Sequence, residues 1–539
     1  MSRLLRAGAI MAAGTMVSRL TGFLRTAVLA AAIGTTTLGD AYNVAYTIPF
    51  ILFDLLIGGA LSSVVVPMIV RHQKNDPDGG VAYEQRLLTL ATSALLVVTV
   101  AAVWLAGPLI ELYTSEMSPR GLEVTTTLAQ LILPQIAFFG LGAIAGAILN
   151  TRDRFAAPMW APVLNNVVVI GVGIAYLTLT AGHSEIEEVT SGELALLGLG
   201  TTGGIVAQSI VLVVALRRSG FRFRPRFGVR DAGLGEMARL GSWGFAYVAI
   251  TQLGFLVTTN LATGAGSRAI DEGVIYGAGY TPYNYAYQLF QLPYGIIAVS
   301  VITATLPKMS RFVHDGQFAE ARDAFSSGVR LVCAAIVPAS LLLMVLGPSV
   351  TVLVFGHGAN DVADAIYIGN VLQVYALAMV PFSLFQMLLR VFYSVGDTRT
   401  PAMFAAMNVA INAGLSLVAF YTLPPGFIVM GLGLAFTITY VVAAGVAWVV
   451  AGRRIGGLGG REATAGLSRM FVAALPATLV ALTVLWAVDR LFGITPLSSA
   501  VVLAAGGGLG GVIYLVIAHR MRIPEVNSIV GMVAGRVGR

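Results

Sequence analysis

The chain has 539 residues, of which 57% are hydrophobic and 11% charged, with a mean hydropathy of +0.83. A soluble domain carries about 25% charged residues, so this composition excludes a water-facing globular surface. It predicts an all-α polytopic membrane protein. Apolar windows of about 20 residues, enough to span a bilayer, fall at 7–33, 41–69, 87–112, 122–149, 157–180, 192–216, 237–262, 276–306, 325–347, 363–390, 400–422, 425–451, 468–488 and 497–518. That makes fourteen. The basic start "MSRLLRAGAIMAAGTMVSR" is interrupted by Arg19 and the apolar pattern continues past it, which reads as a retained first helix and not a cleaved signal peptide.

The basic residues support this count. With the N-terminus inside, 27 of the 33 fall in segments predicted to be cytoplasmic, and only Arg120, Arg268 and Arg490 fall outside. Arg19, Arg25 and Arg330 are left within spans. Such asymmetry is the positive-inside rule, and it puts both termini in the cytoplasm. The net charge of +7 follows from the same bias and gives no reason to expect nucleic acid as a partner. The densest basic piece, "RRSGFRFRPRFGVR" (217–230), reads as an inner-face connector or as a contact for anionic lipid head groups.

Two stretches repeat. "NVAYTIPF" with "VVVPMIVR" in helix 2 matches "NYAYQLFQLP" with "ATLPKMSR" in helix 8; Asn43 to Pro67 is 24 residues and Asn284 to Pro307 is 23. "LNTRDRFAAPMWAPVLNNV" between helices 4 and 5 matches "YSVGDTRTPAMFAAMNVAIN" between helices 10 and 11. The spacing is about 241 residues in both cases. Six helices are therefore duplicated in one orientation, a transporter signature with the substrate site expected between the halves. The predicted organisation is a six-helix bundle over 1–217, a basic linker over 218–236, a second bundle over 237–452, and helices 13 and 14 with a tail over 463–539.

Catalytic chemistry is not indicated, and the chain reads as a non-enzyme. Neither lysine, Lys74 or Lys308, follows a glycine, so no P-loop exists. "GLGTTG" (198–203) and "GGGLGG" (506–511) lie within membrane helices and read as close helix packing. The five histidines are scattered without an HExxH pair, and the single Cys333 allows no internal disulfide. No metal or cofactor is expected; transport would draw on the membrane potential or a coupling cation, H+ or Na+.

The intramembrane charges are the candidates for function. An arginine at the centre of a membrane helix costs about 2.5–3.5 kcal/mol on the insertion scale, and helix 1 carries both Arg19 and Arg25. Gly22 between them permits a bend that would turn both towards one cavity. A cation in a wet cavity suits an anionic substrate, and arginine forks match phosphate oxygens. Asp54, mid-helix 2, is either a partner that neutralises Arg19 or a cavity group that senses an ion. Asp40 is either an N-cap or part of the site. The amides Asn43, Asn284, Gln288 and Gln291 suit hydrogen bonds to sugar or peptide and, equally, ties between helices. Pro49 and Pro293 are expected to break or bend those helices.

"MVSRLTGFLRTAVLAAAIG", "GDAYNVAYTIP", "GGALSSVVVP", "LNTRDRFAAPMWAPVLNN", "QLPYGIIAVSVITATLP" and "FYSVGDTRTP" together resemble the MurJ (MviN) lipid II flippases of the multidrug/oligosaccharidyl-lipid/polysaccharide exporter superfamily. The arginine-rich, lysine-poor style fits an actinobacterial member. The resemblance implies fourteen helices and alternating access in the bacterial plasma membrane. It implies a cationic cavity for lipid II, the undecaprenyl-pyrophosphate-linked peptidoglycan precursor, and a groove for its tail at helices 13 and 14. Membrane lipids and cell-wall synthesis or division proteins are the further partners it implies. Arg19 and Arg25 fall on the two family arginines of helix 1, and Asp40 on the family's helix-2 acid.

The chain also departs from the family. Phe53 stands where many relatives have arginine, Gly58 where the family has glutamate, and Gln288 where a cavity arginine is expected. No acid follows Glu236 within helix 7, where sodium-binding relatives carry one. Asp54 and Asp397 are then the candidates for ion coupling. A polysaccharide-lipid flippase or a cation-coupled drug exporter of the same superfamily is the alternative, and a non-transporting scaffold is a third reading.

Overall fold

The computed structural model describes residues 3–58, 65–180, 182, 185–228 and 234–527. The run "GALSSV" (59–64), His183, Arg230, Arg536 and Arg539 lie outside the described residues, as do the side chains of Arg3, Arg6, Glu236, Arg239 and Arg461. The described chain is α-helical without a strand, and thirteen of its helical segments are long and apolar enough to cross a membrane. Helix is the expected solution, because backbone groups in lipid must be satisfied within the segment.

The remaining expected span, 41–69, takes in residues 59–64, which lie outside the described residues, and it is helical on either side of them. It begins earlier than the sequence pattern indicates, as α2 (Thr37–Phe53), passes through a π turn (Asp54–Gly58), and ends as α3 (Val66–Asn75). Pro49 inside α2 removes one backbone donor, and the widened turn follows within five residues. The second copy does the same. Its α11 (Tyr280–Pro293) ends at Pro293 and a π turn (Tyr294–Ala298) leads into α12 (Val299–His314). The two π turns start 240 residues apart, within one residue of the sequence repeat. The other repeated motif also keeps its form. α7 (Gln135–Thr151) turns into α8 (Ala156–Thr180), and α14 (Val362–Ser394) turns into α15 (Arg399–Thr422). Each turn uses one left-handed residue, Asp153 at φ 58° and Gly396 at φ 74°.

The chain divides into two compact units, Met1–Ser267 and Arg268–Arg539. The first unit is longer than one six-helix copy because it takes in most of α10 (Leu234–Asp271). Hydrogen bonds hold α10 there. Asn260 Nδ2 donates to the Leu112 carbonyl of α5 (Ala106–Tyr113) at 3.3 Å, and Ser115, between α5 and α6 (Pro119–Ile132), donates to the Asn260 carbonyl at 2.9 Å.

Within this unit α1 (Arg3–Ile33) runs unbroken along α8. Gly22 does not interrupt it; the glycine faces Asn166, whose Nδ2 donates to the Ser18 carbonyl at 3.1 Å and to the Thr21 hydroxyl at 3.0 Å. The "GLGTTG" run lies inside α9 (Ser191–Arg218). A Cβ on Gly198 would stand 2.5 Å from Leu131 Cβ, and one on Gly200 2.4 Å from Val172 Cγ2, so these glycines allow close helix approach. Met68, Ile69, Leu87, Ile148 and Leu216 form an apolar core shared by α3, α4 (Val81–Trp104), α7 and α9. Residues 221–228 lie extended against α4: Gln85 Nε2 donates to the Arg222 carbonyl at 2.6 Å, and the Arg226 amide to the Thr89 hydroxyl at 3.1 Å.

In the second unit α13 (Phe318–Phe355) packs on α14, and α14 on α16 (Pro425–Ile455). α17 (Gly460–Phe492) and the last span, α18 (Pro496–Val502) to α19 (Gly508–Arg520), dock on α13. Leu346, Ala481 and Val502 meet there, Tyr514 donates to the Ala334 carbonyl at 2.6 Å, and Arg330 pairs with Glu525 at 2.7 Å.

Candidate functional site

The two arginines of helix 1 are held differently. Arg19 is exposed. Arg25, six residues on, is half-buried; its Nη1 donates to the Tyr46 hydroxyl at 2.9 Å, and its guanidinium carbon stands 5.2 Å from the centre of the Tyr46 ring. That contact joins a cation–π interaction to a hydrogen bond. Tyr46 stacks on Tyr42, one turn earlier on α2, with ring centres 6.0 Å apart and planes within 5°. The Tyr42 hydroxyl lies 2.8 Å from that of Thr201 on α9.

Asp40 is buried, and it is not the N-cap. Thr36 occupies that position with extended backbone, and Asp40 sits in the first turn, where an acid complements the helix dipole. Asn43 is buried and donates from Nδ2 to the Gly39 carbonyl at 2.9 Å. Asp54 opens the π turn and accepts from Gln252 Nε2 on α10 at 3.1 Å. Among the described residues no ion pair joins Asp54 to Arg19. The amide reaches the carboxylate in its place.

The second unit repeats the tyrosine pair, with Gly266 at the repeat position of Arg25. At the repeat spacing Tyr42 and Tyr46 correspond to Tyr283 and Tyr287. Tyr283 and Tyr287 pack on Tyr375, with ring centres 5.6 and 5.7 Å away. Gln291 Nε2 donates to the Tyr287 hydroxyl at 2.6 Å, and Gln288 Nε2 approaches Asn284 Oδ1 at 3.4 Å. These amides bond along α11 itself. Asp397 lies in the turn between α14 and α15, outside the spans. It accepts from the Thr400 amide (2.9 Å), the Thr400 hydroxyl (2.7 Å) and Arg454 Nη2 (3.1 Å). Burial pushes its carboxyl up, but those donors outweigh burial and hold it below the ordinary carboxylate value. It lines a cleft of about 810 Å³ with Arg399 and Arg454. A cleft of about 620 Å³ sits at the α7–α8 turn beside Arg154 and Arg218.

Sequence reasoning missed Tyr46, Tyr42 and Gln252. The tyrosine pair had a readable signal, the i,i+4 spacing that recurs at 283 and 287; Gln252 had none.

Comparison with known proteins agrees with this architecture. The family described as "Lipid II flippase MurJ" matches residues 29–502. A probable lipid II flippase MurJ of Rhizobium meliloti (strain 1021) is 29% identical over 417 residues, covering 76% of this chain and 74% of that protein. One of Thermotoga maritima is 28% identical over 429 residues, covering 79% and 81%. A solved structure of "Lipid II flippase MurJ, inward closed conformation" matches with a TM-score of 0.74 at 18% identity, over 95% of this chain and 99% of that one. An inward-facing multidrug resistance MATE family transporter of the MOP superfamily matches at 0.64 with 14% identity, over 81% and 94%. At such identities the solved structures speak to the fold, and the family rests on the sequence match. The chain belongs to the lipid II flippase MurJ family.

Proposed function

We propose that the protein moves lipid II from the inner to the outer leaflet of the bacterial plasma membrane by alternating access, with both of its termini in the cytoplasm. The observation that carries this reading is Arg25, a guanidinium held half-buried at membrane depth by Tyr46. A diphosphate is as costly in hydrocarbon as an arginine, and each relieves the cost of the other. Arg25 and the exposed Arg19 receive the diphosphate. Asp40, Asn43, Asn284, Gln288 and Gln291 serve the sugar and peptide end. The inner-negative potential favours outward movement of an anion by about 2.3 kcal/mol per charge per 100 mV.

Asp54 is the better candidate for ion coupling, because it opens a π turn in the second span and has a neutral amide partner. Asp397, with Thr400 and Arg454 on its carboxylate, has a structural task already. A drug exporter for organic cations would favour carboxylates where this chain has Arg19 and Arg25. A polysaccharide-lipid flippase shares the diphosphate.

The experiment is binding of labelled lipid II to the purified protein, with complementation of flippase-depleted cells. Arg25→Ala should weaken binding strongly but measurably and abolish complementation while the protein stays at normal levels in the membrane. Normal growth with that variant would remove Arg25 from the mechanism.

A further inference from the structure

We propose that Tyr46 is a positioning residue for Arg25, acting through the guanidinium and not on the substrate; the proposal rests on the reading of Arg25 as a diphosphate ligand. Arginine is a long, flexible side chain, and its value to a diphosphate lies in a planar fork presented at one angle. One phenol constrains it twice. The Tyr46 hydroxyl accepts from Nη1 at 2.9 Å and fixes the reach, while the ring, 5.2 Å from the guanidinium carbon, restricts the plane. The phenol is neutral, so this contact leaves the charge of the arginine intact, as a carboxylate in its place would not.

Tyr46 is itself anchored. Its ring lies parallel to Tyr42, whose hydroxyl meets Thr201 at 2.8 Å. The Thr201 proton goes to the Leu197 carbonyl at 2.6 Å, so the Tyr42 O–H is the donor of that pair. A line of contact thus runs from Thr201 on α9 through Tyr42 and Tyr46 on α2 to Arg25 on α1. A shift of α2 against α1 would re-aim the cation. The duplicated half shows that the pair is not an obligatory packing element for a cation. There Tyr287 accepts from Gln291 of its own helix, and at the repeat spacing Gly266 answers to Arg25.

The test is a double-mutant cycle on the purified full chain with labelled lipid II: wild type, Tyr46→Phe, Arg25→Ala and the double variant, with melting temperatures measured alongside. Tyr46→Phe keeps the ring and loses the acceptor, and binding should weaken about tenfold. The double variant should bind no more weakly than Arg25→Ala alone. A merely structural role would carry its loss undiminished into the Arg25→Ala background. Wild-type binding by Tyr46→Phe, or losses that multiply in the double variant, would overturn the positioning role and leave the diphosphate reading standing. Wild-type binding by Arg25→Ala would sink the diphosphate reading, and the positioning role with it.

Discussion

Gln252 donates from Nε2 to the Asp54 carboxylate at 3.1 Å, tying the π turn of the second span to α10. The bond joins a charge to a neutral amide, so it orients Asp54 without cancelling it. A π turn is a single widened turn that recurs at functional sites, and here an acid is its first residue. Asp54→Asn keeps a carbonyl acceptor for Gln252 and removes only the charge. That variant should fail to complement flippase-depleted cells while its melting temperature stays within a few degrees of wild type. Full growth would reduce Asp54 to a tie between α2 and α10.

Arg19 and Arg25 should respond differently to lysine. Arg19 is exposed, and a lysine there keeps the charge within reach of an anion. Arg25 is held by a hydroxyl and a ring face that suit a planar guanidinium, and a lysine ammonium meets neither in the same geometry. Arg19→Lys should retain most lipid II binding, and Arg25→Lys should lose about tenfold or more. Equal losses in binding assays on the two purified variants would contradict this distinction.

Much of the fold was legible because bilayer thickness and helix rise set the length of each span. Thirteen of the expected spans are helices of sufficient length. In the other, Pro49 signals a departure from regular helix, but the π turn itself was not legible, since its five residues "DLLIG" look like any apolar helix. The repeat was legible from two motif pairs, and the π turns keep its spacing. Partners were not legible. The sequence leaves Asp54 open between pairing with Arg19 and sensing an ion, because position along a helix says nothing about which neighbour a side chain faces, and Gln252 lies 198 residues away. Asp40 was read as a possible N-cap because the apolar run starts at Ala41, whereas the helix starts four residues earlier, after Thr36. The grouping of α10 with the first unit was equally hidden, since contacts between distant segments, the Asn260 to Leu112 bond among them, leave no mark on hydrophobic periodicity.

Glu84 and Arg152 form an enclosed ion pair in the first unit. Glu84 is fully buried on α4, and Gln73 on α3 donates to its other oxygen at 2.8 Å and to Thr151 at 2.9 Å. Arg152 also stands 5.4 Å from the Phe221 ring. Removing one member strands a buried charge, which costs about 3–5 kcal/mol. Arg152→Ala should therefore lower the melting temperature more than the double variant Glu84→Leu with Arg152→Ala. Thermal unfolding of the purified variants reads this directly, and a double variant less stable than the single one would contradict it.

Asp397 gives a prediction in pH. Its carboxyl lies below the ordinary value of 3.8, since bonds from Thr400 and the charge of Arg454 outweigh burial. A depressed carboxylate stabilises the fold above its unfolded pKa, and that contribution is lost as pH falls through the folded value. Asp397→Asn keeps the shape but not the charge, so it weakens the first turn of α15 and the tie to Arg454. The cost should be about 1 kcal/mol and constant from about pH 5 to 8. Below the ordinary carboxylate value the wild-type group takes up its own proton, and the two proteins should converge in melting temperature. The arginine arm is partly exposed, so salt should shrink the gap only in part, leaving the share due to Thr400. A gap that widens towards acid would mean that the charge opposes the fold, against the hydrogen bonds that surround it.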